Sequence, residues 1–502
     1  MISEDSDSDP EAESSTYDVE VIVSKRPIEP LTTWDKKTIG KMIFSRIVSY
    51  YFVHFSYIVI LSLIGGGIIM GMERNISYVD ALFTSTSAVT TTGLIVVDTS
   101  QLKIITQVLL TVLIFLGNHI LLSLVPPIKR IFFNYIPKLR SSTIDRERNY
   151  VKLQIRACVF LIIIVLIYFF YIFFLGMSIF LILGLDHEWV YIIHDKYRNY
   201  SPWWFSFFTV TSNYANAGFA LLPDSAISYN KMFVPIFTQG LLILAGNSCF
   251  PIIMRITVGF LRLCMPFDPA VVFIDKQPRL VYTHMFPYVD TLQFAFIICV
   301  LNTFQWALAL GLDWNEPILE DLNTFERIYT EAFQSISTKM CGANSLNISQ
   351  ASIAVIVLYI GCMYISAYPI AISIRGSKSR GQESHGTHVR DMLFDDLGVI
   401  FVSILLICIF ENTNLKDDSE NYSFLRIVFE VVSAQGTVGL SLGFGNYPVS
   451  FSYGLRTVSK VVIIFTMWIG RHRGLPHSDD PAITGKISLD DMEIQWHDQT
   501  YV

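Results

Sequence analysis

Four segments of one pattern recur along this chain, each set between two apolar runs. They read FTSTSAVTTTGL (Phe83 to Leu94), FTVTSNYANAGF (Phe208 to Phe219), FQSISTKMCGA (Phe333 to Ala343) and FEVVSAQGTVGL (Phe429 to Leu440). Each opens Phe-x-x-x-Ser and reaches a glycine (Gly93, Gly218, Gly342, Gly439) five or six residues after the serine. One such segment alone reads as a Ser/Thr/Gly-rich linker. Four in register describe a long-period repeat, and the repeated unit is span, semi-polar segment, span.

The flanking runs set the environment. A bilayer core of ~30 Å asks for roughly 20 apolar residues in a helix. Ala157 to Leu185, Met232 to Met254, Thr291 to Leu312 and Gln350 to Ile374 carry no charge, while Ile47 to Met72 and Ile104 to Ile128 each hold one histidine, His54 and His119. Two runs are weaker: Leu397 to Phe410 is short, and Leu455 to Ile469 contains Arg456 and Lys460. With 52% hydrophobic and only 16% charged residues, the composition fits a multi-span membrane protein and excludes an ordinary soluble domain. The expected fold is an all-α membrane protein of eight transmembrane helices with four re-entrant pore loops, four fused span-loop-span units around one pore. The units fall at 47–128, 157–254, 291–374 and 397–470. Cytoplasmic loops at 129–156, 255–290 and 375–396, a tail at 1–46 and another at 471–502 complete the chain.

Non-helical backbone at membrane depth survives only where it lines a water-filled cavity or is buried in protein. Four loops around one axis meet that condition. A half-helix near Val79 to Ser87 would descend in the first unit, and the strand behind it would return with its carbonyls facing the axis. Glycine suits the turning point because it accepts backbone angles closed to other residues. Carbonyl oxygens, helped by the C-terminal ends of the half-helices, favour a cation. The repeated phenylalanine reads as packing, and the serine as a cap or cross-bond within the loop.

Charge gives the sidedness. Basic residues concentrate in the proposed inner loops (Lys129, Arg130, Lys138, Arg140, then Arg255, Arg262, then Arg375, Lys378), whereas acids such as Asp98, Asp224, Asp313 and Asp417 lie on the proposed outer side. The glycosylation sequons at Asn75, Asn347 and Asn421 fall outside as well, and a fourth at Asn199 is weakened by the following Pro202. The acidic stretch Ser3 to Ser15 is expected to be disordered, no signal-peptide pattern opens the chain, and both termini are placed in the cytoplasm. The seven cysteines lie mostly in or beside apolar runs without C-x-x-C spacing and read as buried packing residues, neither disulfides nor zinc ligands. His54 and His119 read first as packed, hydrogen-bonded helix residues. Asn118 and Asn247, each after a glycine, suit either helix breaks or interhelical bonds. The cluster Arg471-His472-Arg473 reads as a membrane-edge anchor or as something more specific.

The stretches SAQGTVGLSLGF, LAGNSCFPI (Leu244 to Ile252), YISAYPIAISIR (Tyr364 to Arg375) and GRHRGLP (Gly470 to Pro476) carry a more specific signal. With the four loops, they resemble fungal-type Trk potassium transporters, in the superfamily with bacterial Trk and Ktr and plant HKT proteins. The resemblance covers most of Ile47 to Pro476. It implies potassium uptake across the plasma membrane, K+ as the substrate at the four glycines, no cofactor and a homodimer with one pore per chain. By position it places an ion filter at Thr91, Thr92, Gly93 and Leu94; at Asn216, Ala217, Gly218 and Phe219; at Met340, Cys341, Gly342 and Ala343; and at Thr437, Val438, Gly439 and Leu440. In related plant proteins a serine at the first glycine goes with sodium transport, and Gly93 resembles the potassium-selective class. Two departures stand out: the loop at 129–156 is short for a fungal relative, and Met340-Cys341 before the third glycine is unusual. Relatives also place a basic residue in the last span beneath the filter. On that ground Lys460 is expected to act as a pore gate, the alternative being that it snorkels to the outer interface.

Two function classes remain at this level. One is a cation pathway, uniport or coupled to Na+ or H+, drawn inward by the membrane potential. The other is a non-conducting sensor or regulatory membrane subunit that keeps the pore fold. An enzyme is not expected, since the sequence shows neither a metal-ligand cluster nor a nucleophile motif, and nothing points to nucleic acid.

Overall fold

The computed structural model describes residues 50–192, 200–365, 385–418, 421–445 and 447–473, with the side chains of 385–395 excepted. The expected acidic tail, the C-terminal tail and the segment YPIAISIR lie outside these residues. The described part belongs to one compact unit, Ser49–Val502.

Every repeat is built from helices in the same order. The first has α1 (Tyr50–Met72), α2 (Tyr78–Val89) and α3 (Ile104–Gly117); the second has α4 (Asp145–Leu183), α5 (Pro202–Tyr214) and α6 (Phe233–Gly246), the last continued at an angle by α7 (Phe250–Cys264). The third has α8 (Tyr288–Leu312), α9 (Thr324–Ser337) and α10 (Ile353–Tyr364); the fourth has α11 (His385–Phe410), α12 (Phe424–Gly436) and α13 (Thr457–Gly470). Extended pairing among the described residues is limited to an isolated bridge, Phe444 to Tyr447.

The short middle helices α2, α5, α9 and α12 start where the sequence supplies a cap. Ser77 accepts from Asp80 N, Ser201 from Trp204 N, Ser423 from Arg426 N, and Asn323 closes a capping box with Glu326. Such caps satisfy backbone donors that a helix cannot satisfy internally, which matters at a membrane's edge. Their phenylalanines Phe83, Phe208, Phe333 and Phe429 are buried, so the repeated aromatic is packing as the sequence suggests.

Among the described residues three helices are long and apolar enough to cross a membrane, Tyr51–Met72, Asp145–Leu183 and Tyr288–Leu312, and two bent pairs qualify as broken spans. The bends follow the Gly-Asn pairs. Asn118 ends α3 and its Oδ1 accepts from Ile120 N and Leu121 N, turning the chain by 43°. At Asn247 the backbone leaves the helical region and the turn is 76°. α10, α13 and the apolar part of α11 are shorter apolar helices. The run Gln350 to Ile374, counted above as an uninterrupted span, is helical only over Ile353–Tyr364 among the described residues. The short loop at 129–156 is largely helical too: α4 starts at Asp145, with Asp145 and Glu147 in its first turn, where acids suit the helix dipole. Cys158 and Cys341 are buried, whereas Cys264 and Cys299 are exposed, against the expectation of burial.

The repeats interlock in order. α3 packs against α5, α6 against α9, α10 against α12, and α13 returns to α2. Each repeat's third helix therefore holds the short helix of the next, and the chain closes into a circle.

Candidate functional site

At the centre of that circle the four glycines meet. All four have positive φ: +96° at Gly93, +69° at Gly218, +69° at Gly342 and +94° at Gly439. A Cβ on Gly93 would sit 2.5 Å from Ala217 O, on Gly218 2.1 Å from Cys341 O, on Gly342 2.4 Å from Val438 O, and on Gly439 2.0 Å from Thr92 O. Each glycine thus abuts the carbonyl preceding the next repeat's glycine, and the fourth closes on the first. A side chain at any of these points would have to displace the facing carbonyl, and the left-handed φ would strain one as well.

The serines hold the turns. Gly93 N donates to Ser87 Oγ at 3.0 Å and Gly439 N to Ser433 Oγ at 3.1 Å, while Ser337 Oγ donates to Ala343 O at 2.7 Å. The backbone repeats the theme, since Thr92 N, Ala217 N, Gly342 N and Val438 N donate to the carbonyls of Ser87, Ser212, Ser337 and Ser433. Thr91, Asn216 and Thr437 adopt positive φ of 50°, 56° and 50°, a costly conformation for the β-branched Thr91 and Thr437 and a more tolerated one for Asn216. Met340 at the matching third position is not among the positive-φ residues. Instead its Sδ accepts from Ser248 Oγ at 3.0 Å, at the bend of the second repeat. The unusual third sequence therefore makes an unusual turn, although Gly342 keeps its place in the ring.

On one side of the ring a cavity of about 350 Å³ is lined by the four glycines and by the residues that follow them, including Ile95, Ala220, Asn344, Ser441 and Asp224. Bonds between repeats frame this vestibule: Ser450 N donates to Ile95 O, and Ala226 N to Asn344 O, at 2.8 and 2.9 Å. Glu430, buried on α12, accepts from Ser441 Oγ and Ser452 Oγ at 2.6 and 2.5 Å and so pins the chain leaving the fourth glycine.

On the opposite side the short helices end, and glycines let the third helices close in. A Cβ on Gly117 would meet Val89 O, on Gly246 Tyr214 O and on Gly470 Gln435 O, all within 2.3 Å. Arg471 follows directly. Its Nη1 donates to Thr91 Oγ1 at 3.0 Å and also contacts His119 Nε2, while Nη2 donates to Gly117 O. The side chain is buried. His472 is buried beside it, and Arg473 donates to Asp396 Oδ2 at 2.9 Å, so the Arg-His-Arg cluster is an interior structure rather than a membrane-edge anchor.

Lys460 lies elsewhere. It stands in the first turn of α13, and its Nζ donates to Asp80 Oδ1 at 2.7 Å in the first turn of α2. Both are the ends of their helices away from Arg471. The expected position of Lys460 beneath the glycines is corrected: it is a tie between the fourth repeat and the first, whereas Arg471 bonds directly to the ring residue Thr91. The sequence offered a cue, a basic residue directly after Gly470 in the frame of Gly117-Asn118 and Gly246-Asn247. Of the sequon residues, Asn75 and Asn347 are exposed, and Asn421 Nδ2 donates to the Asp418 carboxylate.

Four glycine turns that close into a ring between helices describe the class of membrane protein to which this fold belongs. A family profile described as TrkH, cation transport protein, matches residues 140–379 and 380–487, most of the chain, and the chain belongs to that family. A potassium transporter of Candida albicans is 33% identical over 326 residues, covering 59% of this chain and 31% of its own length. Potassium transport protein 1 of Schizosaccharomyces pombe is 33% identical over 308 residues, 58% of this chain and 36% of its own. The chain thus spans well under half the length of these curated relatives. The crystal structure of the potassium transporter TrkH from Vibrio parahaemolyticus superposes with a TM-score of 0.54 at 16% identity, covering 84% of this chain and 82% of that one, which supports the fold.

Proposed function

We propose that the chain is a potassium transporter that carries K+ through the glycine ring, drawn inward by the membrane potential. The observation that carries this reading is the closed cycle in which each glycine abuts the next repeat's carbonyl. A constriction built from backbone oxygens can replace part of a cation's water shell without a fixed charge to trap it. Under this reading the filter comprises Thr91 to Leu94, Asn216 to Phe219, Met340 to Ala343 and Thr437 to Leu440. Eight helices span, with α10, α11 and α13 completing the set, and the vestibule opens outward, away from the basic loops. The names of the fungal relatives support K+ as the substrate. Asp224 on the vestibule wall adds an attractive charge at the mouth. Arg471 takes the gate role first expected of Lys460, because a guanidinium beside Thr91 raises the barrier for a cation leaving the ring inward. Plasma-membrane placement, glycosylation at Asn75 and Asn347, and a homodimer belong to the same reading.

The test is rubidium uptake in cells stripped of their own high-affinity potassium uptake. Saturable uptake that rises with hyperpolarisation is expected. A well-expressed protein at the cell surface that carries no rubidium would favour a non-conducting sensor instead.

A further inference from the structure

On the side of the ring opposite the vestibule, α7 carries an exposed apolar face. It leaves α6 at 76°, so with α6 crossing the bilayer it runs close to the membrane plane. Met254 and Val258 are buried on one face, whereas Ile256, Phe260 and Leu263, spaced i, i+4 and i+7 on the other, are 65%, 62% and 81% exposed. Phe267, just past the helix, is 93% exposed. Such a stripe is unfavourable beside water, and it is the pattern of a helix lying in a membrane interface with its apolar side among acyl chains.

Basic side chains gather at the end of that stripe. Arg262 Nη1 donates to Pro266 O, and Arg156 Nη2 donates to Asp268 Oδ2 at 2.6 Å, so two guanidinium groups hold the chain on either side of Phe267. Asp268 in turn caps the helix Pro269–Lys276, its Oδ1 accepting from Ala270 N, and that helix packs against both α7 and α4. Arg156 marks a depth, because the run Ala157 to Leu185 that follows it is uncharged. Phe267 therefore stands at the border of the apolar slab. Arg148 and Lys152 share the Arg156 face of α4 at i, i+4 and i+8, are exposed, and have no ion-pair partner among the described residues. Of the acids close by, Asp268 pairs with Arg156, Asp275 with Arg255 at 3.0 Å and Glu147 with Lys138 at 3.1 Å. Asp145 at the start of α4 then stands against Arg148, Lys152 and Arg262, so positive charge is in surplus. An exposed apolar stripe that ends in surplus positive charge complements a molecule with acyl chains and a negative head.

We propose that this corner binds an anionic phospholipid of the inner leaflet, with its acyl chains along Ile256, Phe260, Leu263 and Phe267 and its phosphate head at Arg262 and Lys152. The inner-leaflet placement rests on the transport reading above, in which the basic loops face the cytoplasm. A neutral phospholipid covers the stripe equally well but leaves the surplus charge uncompensated, so the preference for an anionic one resides in the basic residues. Each is worth about fivefold in affinity at an anionic surface.

The experiment uses the purified full chain in micelles holding equal amounts of phosphatidylserine and phosphatidylcholine with the same acyl chains. Native mass spectrometry reads the ratio of the two lipids in the first adduct, a quantity independent of yield. The wild type should favour phosphatidylserine by about twentyfold. Lys152→Gln, at a side chain with no ion pair to lose, should lower the ratio about fivefold, and the double variant Lys152→Gln, Arg262→Gln should bring it close to one. Lys416→Gln, exposed at the vestibule end, should leave it unchanged. Leu263→Gln with Phe267→Gln should reduce the amount of both lipids retained while the ratio holds, as contacts with acyl chains require. A wild-type ratio of one overturns the proposal, as does a wild-type ratio in the double basic variant. If that variant fails to fold, Lys152→Gln alone decides, and an unchanged ratio overturns the site. The ratio needs no transport: a protein that favours phosphatidylserine and carries no rubidium overturns the transport reading alone, and a rubidium carrier with a ratio of one overturns only the lipid site.

Discussion

Replacing Gly93 by serine tests the ring at its most forgiving point. The new Cβ would lie 2.5 Å from Ala217 O and 3.1 Å from Gly218 Cα, against an ordinary contact of ~3.5 Å, so the second repeat's carbonyl must retreat by about 1 Å. The backbone at φ +96° adds a strain of about 1–2 kcal/mol for a residue with a side chain. If that cost falls on one of the carbonyls facing the ion, the preference between two cations shifts by a similar amount, about tenfold per 1.4 kcal/mol. The expected outcome is a protein at normal surface abundance whose sodium-to-potassium permeability ratio rises about tenfold, measured from reversal potentials in mixed solutions. Gly439→Ala should be worse, because its Cβ would lie 2.0 Å from Thr92 O and 2.8 Å from Gly93 Cα, and transport should be lost. Gly67→Ser, on α1 with nothing within 4 Å of a new Cβ, is the control and should behave as wild type. A Gly93→Ser protein of normal abundance and unchanged permeability ratio would refute the place of Gly93 in the conducting ring.

Lys460→Gln should not raise the maximum rubidium uptake, as a cavity gate would; it should lower the thermal stability of the purified protein by about 1–3 kcal/mol, and Asp80→Asn should reproduce the loss without adding to it. Ser433→Ala removes the acceptor for Gly439 N and should reduce rubidium uptake more than Ser178→Ala, where Ser178 Oγ merely donates to Phe174 O one turn back on α4. Endoglycosidase treatment of protein made in a eukaryotic host should shift its gel mobility, with Asn75→Gln and Asn347→Gln removing most of the shift. Asn421→Gln should remove less, because that amide is bonded to Asp418; sugar on a sequon introduced near Arg140 would reverse the assigned sidedness.

What the sequence made legible follows from what is local. Apolar runs, the Phe-x-x-x-Ser register and the four glycines are written in short stretches, and the structure puts each glycine at a positive φ in one ring. The serines were readable as cross-bonds because a hydroxyl six residues before a turning glycine can reach its N–H, as Ser87 and Ser433 do. The N-caps at Ser77, Ser201, Asn323 and Ser423 are equally local, and Asn323 with Glu326 is a plain capping box. In the third repeat the described residues show a helix only over Ile353–Tyr364 of the uncharged run, because hydropathy reports solubility in lipid and not helix ends.

The misplacement of Lys460 shows where local reading ends. A lysine in an apolar run announces that it needs a partner or water, but not which one, and both candidate partners were far away in sequence. Asp80 is 380 residues from Lys460, and Thr91 is equally far from Arg471. The two bonds share that separation because both connect α13 to the first repeat, one near each end of the short helix α2. The circle of four repeats closes at this seam, where no covalent connection joins the last helix to the first short one. Polar bonds at the two ends of α2 fix its tilt and height, and so the position of Thr91 to Gly93 in the ring. A cation at the seam thus has two different tasks set only by depth: at the vestibule end it pairs with a carboxylate and holds the circle shut, and at the opposite end it meets carbonyl and hydroxyl oxygens, facing the ion's exit on the proposed transport reading. Composition cannot separate these tasks. The register of α13 against α2 can, and the Lys460–Asp80 and Arg471–Thr91 bonds near the two ends of α2 fix that register.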